Sequence, residues 1–340
     1  MKRLLLILLC LPMIGFGQNV NIPDVNFKAY LVGNSLINTN GDTEIQVSEA
    51  NAFNGTIFCS QVNISDLTGI EAFTSLTVLY CQTNQLTSID VSNNTALTVL
   101  NCSYNQLTSI DVSNNTALTD LYCSYNQLTS IDVSNNTALT ALYFSYNQLT
   151  SINVSNNTAL DVLECDDNQL NSLDVSQNTF LDYLKCDDNQ LTVLDVSQNT
   201  ALRFLWCGFN QITSLDVSNN IALIQLLCEN NQLINLNVKN GNNYAFFTDI
   251  APTPFYCENN PLLTCIEVDD AAYSTTNWTY IDPQHYFSTN CSGTSLQEHA
   301  TYKEILKITD LLGRETKGTK NEPLFYIYDD GTVEKRITID

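Results

Sequence analysis

The chain contains a 21-residue unit that occurs eight times in succession without an insertion or a deletion. The first copy occupies residues 76–96, and the array ends at about Val238. A fixed period of this length is the signature of a solenoid, in which each unit buries its apolar side by stacking on its neighbours. The leucine that opens each copy recurs at Leu76, Leu97, Leu118, Leu139, Leu160, Leu181, Leu202 and Leu223.

The spacing inside the unit predicts extended structure on both sides of each coil. Leu79 and Cys81 alternate with outward-facing residues, which is the period of a strand. The second half of the unit, from Leu86 to Asn94, repeats nearly the same spacing. We therefore predict a mainly β solenoid of parallel strands. Asn84 ends the first strand, where its amide is expected to bond the turn backbone and to stack into a ladder with its equivalents.

This repeat resembles that of leucine-rich repeat proteins. Its pattern, L-x-x-L-x-C-x-x-N-x-L, is carried by Leu97, Leu100, Cys102, Asn105 and Leu107. The nested 21-residue form is similar to the short bacterial class called IRREKO, and the resemblance extends over roughly residues 55–268. It implies a leucine-rich repeat solenoid with a role in binding or adhesion, and it does not imply an enzyme.

The composition argues against several other functions. With 36 acidic and 13 basic residues, the formal net charge is −23, whereas nucleic-acid binding needs a basic surface. The only histidines are His285 and His299, and the sequence contains no phosphate-binding glycine loop or nucleophile elbow. We predict a protein that is not an enzyme and has no resident cofactor, with calcium left open as the one alternative.

The twelve cysteines suggest a disulfide framework, but their spacing favours another interpretation for most of them. Seven occupy one inward position of successive units, and Phe144 takes that position once. Parallel strands lie about 4.8 Å apart, whereas the Cβ atoms of a disulfide approach to about 3.8 Å. We predict a row of buried thiols that Cys59 and Cys257 extend, and one disulfide between Cys265 and Cys291. The seven are Cys81, Cys102, Cys123, Cys165, Cys186, Cys207 and Cys228.

The segments outside the array are predicted to be a leader, two caps, a linker and a tail. Lys2 and Arg3 precede the apolar run of residues 4–16, which is typical of a signal peptide in residues 1–17. Residues 18–54 are predicted to form a small helical N-terminal cap, residues 55–268 the solenoid, residues 269–291 an aromatic C-terminal cap, and residues 292–301 a linker. No later apolar run reaches about 18 residues, so we expect no transmembrane span.

Residues 302–340 resemble the C-terminal sorting domain of the type IX secretion system of Bacteroidetes. They carry the element D-x-x-G-R at Asp310, Gly313 and Arg314, followed by a strand-like segment at residues 331–337. The resemblance implies the type IX secretion machinery as a partner. It also implies export, so that the protein is secreted or held at the outer cell surface. An ordinary β-hairpin cap is the alternative.

One loop of the N-terminal cap is similar to an EF-hand calcium loop. Asn38, Asn40 and Asp42 stand at its first three ligand positions, and Glu49 stands at its twelfth. Asn38 replaces the usual aspartate and Thr43 replaces the turn glycine, so the loop has lost a carboxylate. Calcium bound by these residues and a plain turn between helices are the two alternatives.

The outward positions of the predicted main sheet form a candidate ligand-binding face, because they vary where the core does not. They hold a belt of tyrosines, a block of acidic residues and a second aromatic group, all suited to recognition of a ligand. The predicted face comprises Tyr80, Tyr104, Tyr122, Tyr125, Tyr143, Tyr146, Glu164, Asp166, Asp167, Tyr183, Asp187, Asp188, Phe204, Trp206 and Phe209.

Three functions fit this face. The first is binding of a protein or peptide, for which the acidic block predicts a basic ligand. The second is binding of a glycan on the aromatic columns. The third is a passive structural protein of the cell surface, in which the tyrosines only stabilise the sheet through cross-strand pairs.

Overall fold

The computed structural model describes residues 18–246 and 255–291, and in the C-terminal segment residues 305–309, 314–316, 323–328 and 333–337. The predicted signal peptide, the linker, and Asp310 and Gly313 of the sorting motif lie outside the described residues. The chain divides into two compact units, and the boundary lies between Cys291 and Ser292. The first unit is a mainly β solenoid of parallel strands with a helical N-terminal cap, which confirms the predicted fold class.

A ten-stranded parallel sheet runs along the solenoid with one short strand from each coil. Equivalent residues of adjacent coils are paired in register, so that Leu79 lies opposite Leu100 and Tyr80 opposite Asn101. In sheet order its strands are β1 Thr56–Phe58, β2 Val78–Tyr80, β3 Val99–Asn101, β4 Asp120–Tyr122, β5 Ala141–Tyr143, β6 Val162–Glu164, β7 Tyr183–Lys185, β8 Phe204–Trp206, β10 Gln225–Leu227 and β12 Phe255–Tyr256.

Among the described residues, the opposite side of the coils forms strands only near the C-terminal end. Four parallel strands form a second sheet there: β9 Ser214–Asp216, β11 Asn235–Asn237, β13 Cys265–Glu267 and β14 Tyr286–Ser288. The second halves of the earlier coils, which were predicted to be extended, do not form strands in the described part of the chain. These halves are linked by isolated contacts such as the Gln106 N–H to Leu86 O bond at 2.8 Å, which do not form a strand ladder.

Inward side chains of every coil fill one continuous core. In the first strict coil, Leu79, Cys81, Leu86 and Val91 have no solvent exposure, and the same holds for their equivalents along the array. The predicted asparagine ladder is also present. Asn105 accepts the Leu86 N–H at 3.0 Å, and its amide donates to the carbonyl oxygens of Cys81 and Cys102. Each coil is thereby tied to the one before it by an internal polar residue.

Nine buried cysteines are free, as the spacing predicted, and Cys265 is joined to Cys291 in a disulfide. The Cys123 Sγ lies 3.4 Å from the Tyr143 carbonyl oxygen, a contact that recurs at other coils. Burial raises the pKa of the Cys59 and Cys102 thiols to about 12. Since the thiolate is the reactive form, these thiols should be inert in the folded protein.

We expect that none of these nine thiols reacts with a thiol reagent such as DTNB in native buffer, and that all nine react in guanidinium chloride. The count should be made in a Cys10→Ser variant, so that it refers to these nine thiols alone. Reaction of several thiols in native buffer at pH 8 would contradict the buried arrangement.

Two short helices form the N-terminal cap, as predicted. They are α1 Val25–Gly33 and α2 Val47–Ala52. Phe27, Leu31 and Ile45 are fully buried against the first coil. Asp24 caps α1 and also accepts the Ser65 N–H at 2.8 Å, which ties the cap to the solenoid.

The C-terminal cap consists of a short helix, α3 Ala271–Asn277, and the strand β14. Its Trp278 ring stacks on Phe255 with the ring centroids 4.4 Å apart, and Phe287 is also buried. Tyr280 and Tyr286 are exposed, and the Tyr280 ring lies edge-on to that of Tyr256 with the centroids 5.5 Å apart. The alternation of the strand β14 directs Phe287 inward and Tyr286 outward.

The second unit, residues 292–340, contains a three-stranded antiparallel sheet. Its strands are β15 Ile305–Thr309, β16 Pro323–Tyr328 and β17 Val333–Ile337, in that order. The predicted strand-like segment at residues 331–337 therefore contains the strand β17. Among the described residues, the chain has no helix that is both long and apolar enough to cross a membrane.

Candidate functional site

Four outward positions per coil form the candidate face. In the first strict coil these positions are Val78 and Tyr80, which are the first and last residues of the strand β2, and then Gln82 and Thr83. We call the Tyr80 position the strand column, the Gln82 position the bend column, and the Thr83 position the left-handed column. Because adjacent coils are in register, each column places equivalent side chains next to one another across the sheet.

The left-handed column is named for its backbone, which has positive φ at residues other than glycine. Tyr104, Tyr125 and Tyr146 have φ of 55°, 56° and 55°, and Phe209 has φ of 51°. This conformation costs a non-glycine residue about 1–2 kcal/mol. The array imposes it because the N–H of Tyr125 must donate to Ser145 O of the next coil, at 2.9 Å. The sequence alone did not reveal this constraint, although the same column contains Asn230, and asparagine is a residue type that tolerates positive φ.

The predicted tyrosine belt consists of two stacks of parallel rings. In the left-handed column, the ring of Tyr125 lies 4.2 Å from that of Tyr104 and 4.1 Å from that of Tyr146, at interplanar angles of 10° and 12°. In the strand column, Tyr122 stacks on Tyr143 at 4.6 Å. Tyr80 belongs to neither stack, because Asn101 separates it from Tyr122, and it contacts Phe58 at 5.5 Å.

This stacking determines what the belt presents to a ligand. Both faces of the Tyr125 ring are covered by its neighbours, so ring edges and phenol oxygens form the outer surface. The Tyr146 hydroxyl bonds to Asp167, which raises the pKa of that tyrosine. Recognition of a sugar by stacking requires an open ring face. The belt is therefore better suited to apolar edge contacts and hydrogen bonds.

The predicted acidic block is partly neutralised by an internal lysine. Lys185 Nζ lies 2.8 Å from Asp166 Oδ2, and Ser145 Oγ donates to the other oxygen of Asp166. Asp166 is only 1 % exposed, so its carboxylate is shielded from solvent. Glu164 is half-buried beside them, and burial raises the pKa of its carboxyl. Among the described residues, no group of three or more acidic, histidine or cysteine side chains is arranged to hold a metal ion.

The second aromatic group lies next to this ion pair. Tyr183 contacts Phe204 and Trp206 with ring centroids 5.8 and 5.5 Å away, and Lys185 Nζ lies 5.6 Å from the centroid of the Trp206 ring. The indole N–H of Trp206 donates to Gln225 Oε1 at 3.0 Å. The structure thus brings the predicted acidic and aromatic residues together into one polar and aromatic surface.

Asp187 and Asp188 follow Asp166 and Asp167 by one coil. Burial raises the pKa of the Asp187 carboxyl to about 7, an effect that Lys185 opposes and Asp166 reinforces. Burial also raises the pKa of Asp188, although that side chain is exposed at the surface. The carboxyl of Asp187 therefore holds its proton at a pH where an ordinary aspartate is ionised.

This shift predicts a pH dependence of stability. Between pH 4 and pH 7 the folded chain binds more protons at Asp187 than the unfolded chain does. The free energy of unfolding therefore falls as the pH rises. We expect an Asp187→Asn variant to gain stability relative to the parent between pH 5 and pH 8. The gain should be on the order of 1 kcal/mol, since solvent screens a partly buried group. Urea denaturation at both pH values measures it.

Asp132→Asn is the matched control. Hydrogen bonds from Ser134 lower the pKa of Asp132, and Asn153 makes the same backbone bond in the next coil, to Ser155 N at 3.0 Å. This variant should not gain stability as pH rises. An equal gain in the two variants would show that net charge, and not the burial of Asp187, sets the pH dependence.

The loop proposed for calcium forms a closed hydrogen-bond network. Asn38 Oδ1 accepts the Gly41 N–H, and the Asn40 amide donates to Asp42 Oδ2 and Gln46 Oε1. Glu49 accepts from the backbone of Thr39, Asn40 and Gln46. These bonds satisfy the turn without an ion. Calcium binding by Asn38, Asn40, Asp42 and Glu49 stays a prediction.

Comparisons with known proteins agree with the fold. The family model described as Leucine Rich repeats (2 copies) matches residues 95–136. The functional domain of InlJ from Listeria monocytogenes, which includes a cysteine ladder, is 29 % identical, with a TM-score of 0.51; the match covers 80 % of this chain and 70 % of that chain. No curated protein sequence matches the chain.

Two further solved structures share only the fold. Internalin C2 from Listeria monocytogenes is 21 % identical, with a TM-score of 0.52 over 59 % of this chain and 93 % of that one. The ectodomain of the receptor kinase GASSHO1/SCHENGEN3 from Arabidopsis thaliana, solved in complex with CASPARIAN STRIP INTEGRITY FACTOR 2, is 22 % identical. Its TM-score is 0.56 over 72 % of this chain and 31 % of that one. The chain therefore has the leucine-rich-repeat fold.

Proposed function

We propose that the protein binds a protein or peptide ligand through the outer face of its main sheet, in a role such as adhesion. One observation carries this proposal. Exposed aromatic side chains occupy backbone positions that disfavour them, at Tyr104, Tyr125, Tyr146 and Phe209, with exposures of 52, 38, 42 and 48 %.

Stability alone gives a poor account of these residues. Each stacked ring pair contributes about 0.5–1.5 kcal/mol, which at best offsets the backbone cost of about 1–2 kcal/mol. Phe209 lies between Asp188 and Asn230 in its column and so lacks even an aromatic neighbour there. Large aromatic side chains that are exposed and clustered are typical of interaction surfaces. A ligand that covers them accounts for their presence.

A screen of a peptide array for peptides that bind the full-length chain tests this proposal. A Trp206→Ala, Tyr143→Ala double variant should lose the selected peptides, with affinity falling at least about tenfold. Phe180→Ala is the control, because Phe180 is 68 % exposed outside this face and six other coils carry alanine at its position. Equal binding by the double variant and the parent would place the site elsewhere.

A glycan array run in parallel separates the alternatives. Binding of glycans that is lost in the double variant would favour a glycan-binding module. No binding in either array would favour a passive structural role.

We also propose that the protein acts outside the cell. The signal-like residues 1–17 and the sorting-like residues 302–340 support export by the type IX secretion machinery. The Cys265–Cys291 disulfide suits an oxidising environment. Removal of residues 302–340 should retain the protein inside producing cells, which cell fractionation measures. Normal secretion of the truncated protein would contradict this part of the proposal.

A further inference from the structure

Three asparagines of the chain are followed directly by glycine, at Asn40, Asn54 and Asn240. An asparagine can lose its side-chain amide when the backbone nitrogen of the next residue attacks the side-chain carbonyl carbon, which makes asparagine a thermolabile residue type. Glycine favours the attack, since it has no side chain to obstruct the approach and its backbone adopts many conformations. The contacts of each pair determine whether that pair can react in the folded protein.

The Asn40–Gly41 pair is held by hydrogen bonds at both reacting groups. Asn40 Oδ1 accepts the Asp42 N–H at 2.8 Å, and the Asn40 amide donates to Gln46 Oε1 at 2.6 Å. The Gly41 N–H donates to Asn38 Oδ1 at 3.0 Å. These bonds have to break before the Gly41 nitrogen can reach the side-chain carbon of Asn40.

The Asn240–Gly241 pair is held in a similar way and is also buried. Asn240 is only 5 % exposed, its amide donates to Asn220 O at 3.0 Å, and its Oδ1 accepts the Asn242 N–H at 3.0 Å. The Gly241 N–H donates to Asp269 Oδ2 at 2.9 Å. Both reacting groups are therefore engaged, and water has little access to them.

The Asn54–Gly55 pair has none of these restraints. It lies between the helix α2, which ends at Ala52, and the strand β1, which begins at Thr56. Asn54 is exposed, and among the described residues neither its side chain nor the Gly55 N–H has a hydrogen-bond partner. Both residues line an open surface pocket of about 510 Å³. The side chain therefore has room to turn towards the Gly55 nitrogen, and water can reach it.

We propose that Asn54 is a site of spontaneous deamidation, at which the side chain is converted while Asn40 and Asn240 persist. The Gly55 nitrogen forms a bond to Asn54 Cγ, the bond from Cγ to the amide nitrogen breaks, and ammonia leaves with the proton of the Gly55 nitrogen. Water then opens the resulting succinimide ring at either of its two carbonyl carbons. One opening yields aspartate, and the other yields isoaspartate.

The products change the junction between the N-terminal cap and the first coil. Both add a negative charge, and isoaspartate also places one more carbon atom in the backbone and takes the Asn54 carbonyl out of it. Thr77 Oγ1 donates to the carbonyl oxygens of Asn54 and Gly55, at 3.2 and 3.3 Å. Because isoaspartate displaces these two acceptors, its formation should loosen the cap from the solenoid.

Peptide mapping by mass spectrometry, after incubation of the full-length chain for several weeks at pH 8, tests the site. Exchange of the amide nitrogen for oxygen adds one dalton. We expect this gain at Asn54, at least about tenfold faster than at Asn40 or Asn240, because several hydrogen bonds have to open together at those two sites. In guanidinium chloride the three sites should react at comparable rates. A native rate at Asn54 no higher than at the other two would overturn the proposal. So would a preference for Asn54 that persists unchanged in guanidinium chloride, since the fold would then not select the site.

Asn54→Gln is the matched variant, because it keeps an exposed amide but closes the corresponding ring only slowly. Ion-exchange chromatography should show the parent becoming more acidic while this variant keeps its charge. An equal gain of negative charge in the two proteins would move the reaction to another asparagine and overturn the proposal.

The effect on the cap is measured on the isoaspartate fraction of the aged parent. It should melt at a lower temperature than a freshly prepared Asn54→Asp variant, which carries the same charge on an ordinary backbone. Equal melting temperatures would contradict the loosening of the cap.

Discussion

Replacing Asn147 by leucine is expected to lower the free energy of unfolding by about 3–5 kcal/mol. The loss arises because several hydrogen bonds disappear and one buried donor is left without an acceptor. Asn147 Oδ1 accepts the Leu128 N–H at 2.9 Å, and its amide donates to Cys123 O and Phe144 O at 3.1 and 2.9 Å. Leucine has a similar volume but leaves the Leu128 N–H buried and unpaired. Urea denaturation followed by circular dichroism measures the loss.

Asn135→Leu provides the control for this prediction. Asn135 is exposed and makes a single hydrogen bond, to Ser113 O at 3.3 Å. Its replacement should cost no more than about 0.5 kcal/mol, the ordinary range for a surface position. Similar losses in the two variants would mean that the asparagine ladder does not hold the coils together.

The second large effect is expected at Phe144, the one residue that interrupts the row of cysteines. Phe144 is fully buried in the core. The free energy of unfolding of a Phe144→Ala variant should be lower by about 3–5 kcal/mol, because the substitution removes a large apolar surface and leaves a cavity between two stacked coils. Thermal and urea denaturation measure the change.

Cys186→Ala is the comparison for Phe144, because it changes the same column position in another coil. It removes one sulfur atom only, so the expected loss is about 1 kcal/mol, close to that of one buried methylene-sized group. A loss at Phe144 no larger than the loss at Cys186 would show that the ring does not fill the core as the structure indicates.

The sequence predicted the coil, its inward residues and its internal ladders, because these follow from a strict period. It could not distinguish the ladder of Asn84 and its equivalents from a second one, in which the Asn115 amide donates to the carbonyl oxygens of Val91 and Asn94. Asn105 accepts a hydrogen bond from Leu86 N–H, whereas the Oδ1 of Asn115 has no partner among the described residues. One residue lies between Asn84 and the core residue Leu86, whereas two lie between Asn94 and Leu97, so the two turns differ in geometry.

The candidate face was predicted as a set of residues but not as an arrangement. The ion pair between Lys185 and Asp166 was not predicted, because whether charges pair or are solvated depends on side-chain conformation and burial. Neither the stacking of the tyrosine rings nor their left-handed backbone follows from an apolar period, since both are set by hydrogen bonds between coils.

The central claim is that the outer face of the main sheet binds the ligand. The most direct test compares Phe209→Asn with Phe180→Ala in titrations against the tightest peptide from the array. Asparagine occupies the equivalent position at Asn230 and Asn259 with positive φ, so Phe209→Asn removes the ring and relaxes the backbone. The account predicts about tenfold weaker binding for Phe209→Asn and parental binding for Phe180→Ala. Parental binding by Phe209→Asn, or a loss confined to Phe180→Ala, would contradict it.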